Sequence, residues 1–184
     1  KNIFKIKTYV PGKSGSYILK SRPTKLSSNE SPIKFSKKTI NKINKTQLNF
    51  AKYPDPECNK LKKKISALYS VKSKNIIFGN GSDELFYLIS YCYLNKSLQG
   101  LYSKHGFLIY PIAINAASGK SVFAREERFK ANIDELIKTS NQNTRICFIA
   151  NPNNPTGTYL TKDEIKKLRE GLPKKCLLVI DSAY

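Results

Sequence analysis

The sequence predicts an α/β protein with three layers, in which helices cover both faces of a mostly parallel β-sheet. Short apolar runs, typical of buried strands, alternate with longer segments of helical periodicity from about residue 76 onwards. A helix between two strands favours a parallel pair, because it returns the chain to the end of the sheet where the previous strand began. Polar loops follow several of these strands, and open α/β sheets bind ligands at that carboxyl edge.

The individual elements follow from these patterns. The predicted strands are Ile76–Phe78, Gly100–Tyr102, Ser121–Phe123, Arg145–Ala150 and Leu177–Ile180. The predicted helices are Ser36–Lys45, Glu57–Tyr69, a helix after Gly79–Glu84 with Leu85, Leu88, Ile89 and Cys92 inward, Gly106–Ala117, Ile133–Thr139 and Lys162–Glu170. Residues 1 to about 28 are polar and irregular, with a turn at 10–13, and are predicted to form an extended arm.

Composition narrows the class of function. The net charge is +20, but nearly all cations are lysines spread along the chain, whereas nucleic-acid binders cluster Arg and Lys on one face. A specific nucleic-acid function is therefore not expected. No apolar run is long enough to cross a bilayer and no signal peptide opens the chain, so a cytoplasmic protein is expected. Four dispersed cysteines and a single histidine indicate neither a metal site nor a disulfide framework.

The most informative stretch is Asn151–Gly157, which follows the predicted strand Arg145–Ala150. Pro152 and Pro155 fix φ and remove backbone donors, so neither a strand nor a helix continues through the loop. An ordinary strand-to-helix turn is one interpretation, and a polar ligand-binding loop is the other.

Three further segments carry chemistry at predicted strand ends. Gly79–Glu84 leads into a helix whose first amides suit a phosphate, with Ser82 or Asp83 expected to cap it. Phe107 follows the next strand and is either a core residue or a ring that stacks on a flat heterocycle. Asp181 ends the last strand, where a carboxylate needs a partner, either a helix N-terminus or a protonated ring nitrogen.

These motifs resemble those of class I/II aminotransferases, which use pyridoxal phosphate. Asn-Pro-Asn-Asn-Pro-Thr-Gly at 151–157 is similar to a signature of that superfamily. Tyr-Pro-Asp at 53–55, Gly-Asn-Gly-Ser-Asp-Glu at 79–84 and Asp-Ser-Ala-Tyr at 181–184 resemble the N-terminal half of the histidinol-phosphate aminotransferase branch. The resemblance implies the fold-type I architecture, truncated, with an arm and small-domain segment at 1–48 and a partial cofactor-binding large domain at 49–184.

The resemblance also implies a role for particular residues. The implied cofactor-binding residues are Ser82 and Asp83 at the phosphate, Phe107 stacked on the ring, Asn154 and Tyr184 at the ring's 3-oxygen, Asp181 at the pyridinium nitrogen, and Tyr53 at the phosphate of the neighbouring subunit's cofactor. Tyr9 and Asn29 would bind substrate. The lysine that forms the Schiff base is expected beyond Tyr184, so no catalytic residue is assigned in this chain.

The implied reaction exchanges an amino group between glutamate and imidazole-acetol phosphate, in a cytoplasmic homodimer of the histidine biosynthetic pathway. Residues 1–184 alone are expected to bind cofactor at best weakly and not to transaminate. Aromatic amino acids or threonine phosphate are alternative substrates, since relatives act on them. A noncatalytic basic binding protein, built on a decayed domain, is the alternative of another class.

Overall fold

The computed structural model describes residues 6, 8–9, 28–31, 33–45 and 51–184. The chain divides into two compact units, residues 1–9 with 78–184 and residues 10–77. Most of the predicted arm, including the turn at 10–13, lies outside the described residues. The predicted domain boundary near residue 48 stays a prediction.

Helices and strands alternate in the larger unit, as predicted. Within the described residues the helices are α1 (Lys37–Asn44), α2 (Asn59–Tyr69), α3 (Gly81–Tyr93), α4 (Ile109–Ala116), α5 (Ile133–Thr139) and α6 (Lys162–Gly171). The strands are β1 (Gln99–Ser103), β2 (Lys120–Ala124), β3 (Glu126–Glu127), β4 (Lys130–Ala131), β5 (Thr144–Ala150) and β6 (Leu177–Asp181).

Four of the strands form one parallel sheet in the order β2-β1-β5-β6. Strand β5 is central, with Tyr102 of β1 opposite Phe148 and Asp181 of β6 opposite Ala150. All pairs in this sheet are parallel, so the carboxyl ends of the strands share one edge. The short strands β3 and β4 form a separate antiparallel hairpin.

The side chains of β5 show why the sheet has helices on both faces. Its side chains lie alternately on the two faces of the sheet. Ile146 and Phe148 belong to one core cluster, and Cys147 and Ile149 belong to the other. The first cluster includes residues of α3 and α4, and the second includes residues of α5 and α6. The side-chain period of two thus distributes one apolar strand between two cores, which gives the predicted α/β/α layers.

The smaller unit contains α1, α2 and one turn of 3-10 helix at Ser73–Asn75. Helix α1 begins after Ser36, whose hydroxyl accepts a hydrogen bond from the Thr39 amide at 3.1 Å. Leu61 and Leu68, which lie seven positions apart on one face of α2, are 49% and 72% exposed.

The prediction of a strand at Ile76–Phe78 was wrong. This segment has no ladder partner among the described residues and is irregular, and Ile77 is 77% exposed. A short apolar run forms a strand only where another strand offers hydrogen bonds. The hairpin of β3 and β4 was not predicted, because strands of two residues each are too short to leave a periodic signal.

The predicted inward face of α3 also needs correction. Leu88 and Cys92 are exposed, whereas Phe86 and Ser90 are the buried residues of the helix. Apolar side chains occur around most of this helix, so periodicity alone does not select the buried face. Phe86 is buried because its ring packs against that of Tyr110, with the two ring centroids 5.2 Å apart.

Candidate functional site

The loops at the carboxyl edge of the sheet meet around a cavity of about 100 Å³. The predicted site residues that line it are Ser82, Asp83, Phe107, Asn154, Asp181 and Tyr184; Ala150, Pro152 and Ala183 complete the lining. Ligand pockets usually measure roughly 300–1,000 Å³. The cavity is therefore one part of a binding site, walled by residues from four separate segments.

Strand order explains why distant segments meet here. Strands β1 and β6 flank β5, so the segments after all three strands emerge side by side. The backbone amide of Asn151 donates to the Asp181 carbonyl at 2.8 Å, which joins the loop after β5 to the end of β6. The side-chain amide of Asn153 donates to the His105 carbonyl at 3.1 Å, which joins the same loop to the segment after β1.

The N-terminus of α3 forms one end of the cavity. Gly81 has φ of +81°, a conformation that side chains disfavour, and it lets the chain turn sharply into the helix. The expected cap by Ser82 or Asp83 was wrong: Asn80 occupies the N-cap position without a side-chain cap. Ser82 and Asp83 therefore lie in the first turn, where backbone amides have no intrahelical acceptor and can bind an anion.

The carboxylate of Glu84 supports this turn from inside the helix. Its Oε2 accepts hydrogen bonds from the Asn80 backbone amide at 2.6 Å and from the Asn80 side-chain amide at 3.2 Å. The turn is thereby held in shape without using the amides of Ser82 and Asp83.

The three asparagines of the loop at 151–157 have different partners. Asn151 accepts from the Leu160 amide at 2.7 Å and donates to the Leu160 carbonyl at 3.0 Å, while Asn153 bonds the Thr156 hydroxyl at 2.8 Å. Asn154 lines the cavity and makes no side-chain hydrogen bond to the described residues. Two amides thus fix the loop, and the third is available to a ligand.

Glu126 fixes the segment that carries Phe107. The carboxylate is 3% exposed, accepts from the Ser103 hydroxyl and from the His105 amide at 2.8 Å, and lies 2.7 Å from His105 Nδ1. Burial opposes ionisation of Glu126, but the hydrogen bonds from Ser103 and His105 outweigh it and lower the pKa of the carboxyl group. The turn between β1 and α4 is therefore held by a charged acceptor.

Two carboxylates give the cavity a negative character. Burial raises the pKa of Asp83, and the charge of Asp181 raises it further. Among the described residues no Lys, Arg or His side chain forms an ion pair with Asp181. Asp181 accepts a hydrogen bond from the Tyr110 hydroxyl at 3.0 Å. The arrangement suits a ligand that brings a positive charge to Asp181 and an anion to the start of α3.

The other predicted site residues do not line this cavity. Tyr53 and Asn29 belong to the unit 10–77, where both are exposed. Tyr9 is 47% exposed. Their roles at the cofactor or substrate stay predictions.

Sequence reasoning missed the residues that support the site. Glu126 follows β2 at the carboxyl edge, so its position at a strand end was an available signal. Tyr110 gave no such signal, because it lies inside an apolar helix and contacts an acid 71 positions away.

The part of the chain that the structure describes contains neither a metal site nor a membrane span. No group of three or more His, Cys, Asp or Glu residues there could hold a metal ion. None of the helices there has the length and apolar character needed to cross a membrane.

Comparison with known proteins gives consistent matches. The family model for aminotransferase class I and II matches residues 21–184. The chain is 43% identical over 182 residues to a histidinol-phosphate aminotransferase of Pelagibacter ubique, and 40% identical over 180 residues to that of Zymomonas mobilis. These matches cover 98% and 97% of this chain, which spans about half the length of the curated relatives it matches.

A solved structure is similar as well. The histidinol-phosphate aminotransferase of Sinorhizobium meliloti, in complex with pyridoxal-5'-phosphate, has a TM-score of 0.68 and 25% sequence identity. The match covers 72% of this chain and 36% of that one.

Proposed function

The chain belongs to the aminotransferase class I and II family, and we propose that it is part of a pyridoxal-phosphate-dependent aminotransferase. The proposed reaction exchanges an amino group between glutamate and imidazole-acetol phosphate, giving histidinol phosphate and 2-oxoglutarate. The observation that carries the proposal is the shared cavity lined by the implied phosphate, ring and pyridinium contacts. The named relatives at 40% and 43% identity support the choice of substrate.

The described residues fit this cofactor. The first turn of α3 offers free amides to a phosphate, and Phe107 offers a ring for stacking. Asn154 has an unused amide for the 3-oxygen, and Asp181 is an acceptor without a cationic partner in the described part. Each group that the cofactor would need on this side has a matching side chain or backbone group.

When bound, pyridoxal phosphate supplies an electron sink that stabilises negative charge at the substrate's α-carbon. Asp181 would keep the ring nitrogen protonated, because a carboxylate beside a cation favours the charged form. Asn154 would fix the ring's 3-oxygen with an amide proton. Phe107 would stack on the ring and exclude water from one of its faces.

In this scheme, residues 1–184 bind the cofactor and supply the carboxylate that keeps its ring nitrogen protonated. None of the lysines occupies the family's Schiff-base context, a loop downstream of Asp181–Tyr184. We therefore infer that residues 1–184 alone do not transaminate. We also infer a cytoplasmic homodimer in which Tyr53 reaches the phosphate of the neighbouring subunit's cofactor.

An assay of amino transfer tests the proposed reaction. The protein, purified at its natural length and loaded with pyridoxal phosphate, should form glutamate from 2-oxoglutarate with histidinol phosphate as the donor. Phenylalanine and threonine phosphate are the comparison donors, and their kcat/KM should be at least about tenfold lower. Phenylalanine lacks the phosphate of histidinol phosphate and threonine phosphate lacks its imidazole, and a site built to bond a polar group rejects analogues without it. A higher kcat/KM with either comparison donor would overturn the choice of substrate.

A further inference from the structure

Tyr110 is a fully buried side chain whose only polar atom bonds a residue of the candidate site. It is 0% exposed, and its hydroxyl donates to Asp181 Oδ2 at 3.0 Å. The two residues come from α4 and the end of β6. A tyrosine hydroxyl has one proton to donate, and here Asp181 receives it.

Three aromatic rings fix the position of that hydroxyl. The Tyr110 ring is stacked on Phe148, with centroids 5.0 Å apart and planes inclined by 7°. It meets Phe86 and Phe107 edge to face, at 5.2 and 5.9 Å. Buried rings in such contacts have little rotational freedom. The hydroxyl is therefore a rigid donor, and the same ring supports Phe107 at the cavity.

The Tyr110 hydroxyl keeps its proton and therefore remains a hydrogen-bond donor. Burial raises the pKa of Tyr110, and the neighbouring charge of Asp181 raises it further, so the phenol stays protonated over the usual pH range. The main chain of Asp181 is also held, since its carbonyl accepts the Asn151 amide at 2.8 Å. Backbone and one carboxylate oxygen are thus both fixed, and the second oxygen, Oδ1, has no hydrogen bond to the described residues.

We propose that Tyr110 is a positioning residue for Asp181, which holds Oδ2 so that the carboxylate presents Oδ1 to a protonated ring nitrogen in the cavity. The inference rests on the proposed function, since it assigns the ring nitrogen to pyridoxal phosphate. It goes further by giving a residue outside the cavity lining control over the geometry of the acid. Tyr110 also couples that acid to Phe107, because one ring contacts both.

The test uses Tyr110→Phe, which removes the hydroxyl and keeps the ring packing. The probe is pyridoxamine 5'-phosphate labelled with ¹⁵N in the ring, because its amine forms no covalent bond to a lysine. Nitrogen NMR of the bound probe gives the pH midpoint at which the ring loses its proton, and a titration gives Kd. With the protein at its natural length, we expect Tyr110→Phe to lower the midpoint by about one pH unit and raise Kd about tenfold.

Tyr102→Phe is the matched control. Its hydroxyl accepts from Ser121 at 3.2 Å, in the same core but away from the cavity. This variant should keep the wild-type midpoint and Kd. If Tyr110→Phe behaves like Tyr102→Phe while Asp181→Asn lowers the midpoint, the proposed cofactor site stands and the inference about Tyr110 is overturned. If the wild-type protein binds no probe, the proposed function is overturned together with the inference.

A second measurement does not depend on the stability of the variant. In the wild-type protein the buried Tyr110 hydroxyl proton should give a resolved resonance that shifts when the probe binds, because Asp181 then shares its charge with the ring. An unshifted resonance would show that the Tyr110 hydroxyl does not sense the charge of Asp181 when the probe is bound, which would contradict the inference.

Discussion

Asn151 and Asn154 lie three positions apart in one loop, yet they have opposite relations to their surroundings. Asn151 makes two hydrogen bonds with the backbone of Leu160, a residue that is only 5% exposed. Asn154 makes no side-chain hydrogen bond to the described residues and lines the cavity. The same residue type therefore stabilises the fold at one position and is free for a ligand at the other.

This difference predicts opposite results for two alanine variants. Asn151→Ala should lower the free energy of unfolding by about 2–3 kcal/mol, because it leaves buried backbone groups without partners. Asn154→Ala should change it by less than about 0.5 kcal/mol and should weaken binding of pyridoxal phosphate. Urea unfolding and a cofactor titration measure the two effects, and equal losses of stability would contradict the division of roles.

At the scale of elements, side-chain hydrogen bonds fix the loops after β1 and β5 relative to each other. Glu126, at the start of β3, fixes the turn after β1, and Asn153 ties that turn to the loop after β5. These hydrogen bonds fix the segment that places Phe107 in the cavity lining. The depressed pKa of Glu126 makes the arrangement dependent on pH.

Replacing Glu126 should show that the free energy of unfolding depends on the ionisation of this carboxylate. Glu126→Gln should lower the free energy of unfolding at pH 7 by roughly 2 kcal/mol, since hydrogen bonds to a charged group are lost. The folded-state pKa lies below the ordinary value of 4.5, so the contribution of the carboxylate is complete above that pH and is lost as pH falls through the folded pKa. Urea unfolding from pH 7 to pH 3 should show the gap between wild type and variant closing below about pH 4.5.

Glu127→Gln is the control, because Glu127 is the adjacent carboxylate, is exposed and forms no ion pair among the described residues. It should leave stability within about 0.5 kcal/mol of wild type at every pH. A gap for Glu126→Gln that stays constant down to pH 3 would show that its carboxylate is not the group responsible.

The strands and helices were predictable from the sequence to different degrees. Leu177–Ile180 and Ile76–Phe78 are both short apolar runs, but among the described residues only the first has a neighbouring strand to pair with. Strand pairing depends on distant parts of the chain, so a local pattern does not decide it. Helix α5 was predicted at its observed bounds, Ile133–Thr139. The structure shows that Asn132 caps it, since its side chain accepts hydrogen bonds from two backbone amides.

The same reasoning applies to the site. Phe107, Asn154 and Asp181 were predicted because each follows a strand of a parallel sheet and matches a motif. Tyr110 and Glu126 were not, since their importance depends on contacts across 71 and 21 positions. The residues that line the cavity leave motifs at strand ends, whereas Tyr110 is recognised only from the packed structure and Glu126 only had its position after a strand as a signal.

At the scale of the whole molecule, the charge of the cavity contrasts with the charge of the chain. The net charge is +20, yet Asp83 and Asp181 line the cavity without a basic residue beside them. A site for a polyanion would place lysines or arginines in that lining. The acidic lining instead suits a small ligand with a cationic ring, with its anionic group bound by helix amides. The charge of the two carboxylates in the lining is thus opposite in sign to the net charge of the chain.

The central claim is that this cavity is a pyridoxal-phosphate site whose ring nitrogen meets Asp181. The most direct measurement is an equilibrium titration of the protein with pyridoxal phosphate, comparing wild type with Asp181→Asn, which keeps an acceptor for Tyr110 and removes the charge. The account predicts saturable binding by wild type and at least about tenfold weaker binding by Asp181→Asn, while Asp163→Asn on the exposed first turn of α6 binds like wild type. Equal affinities of all three proteins, or salt-sensitive binding of nucleic acid with no binding of pyridoxal phosphate, would contradict it.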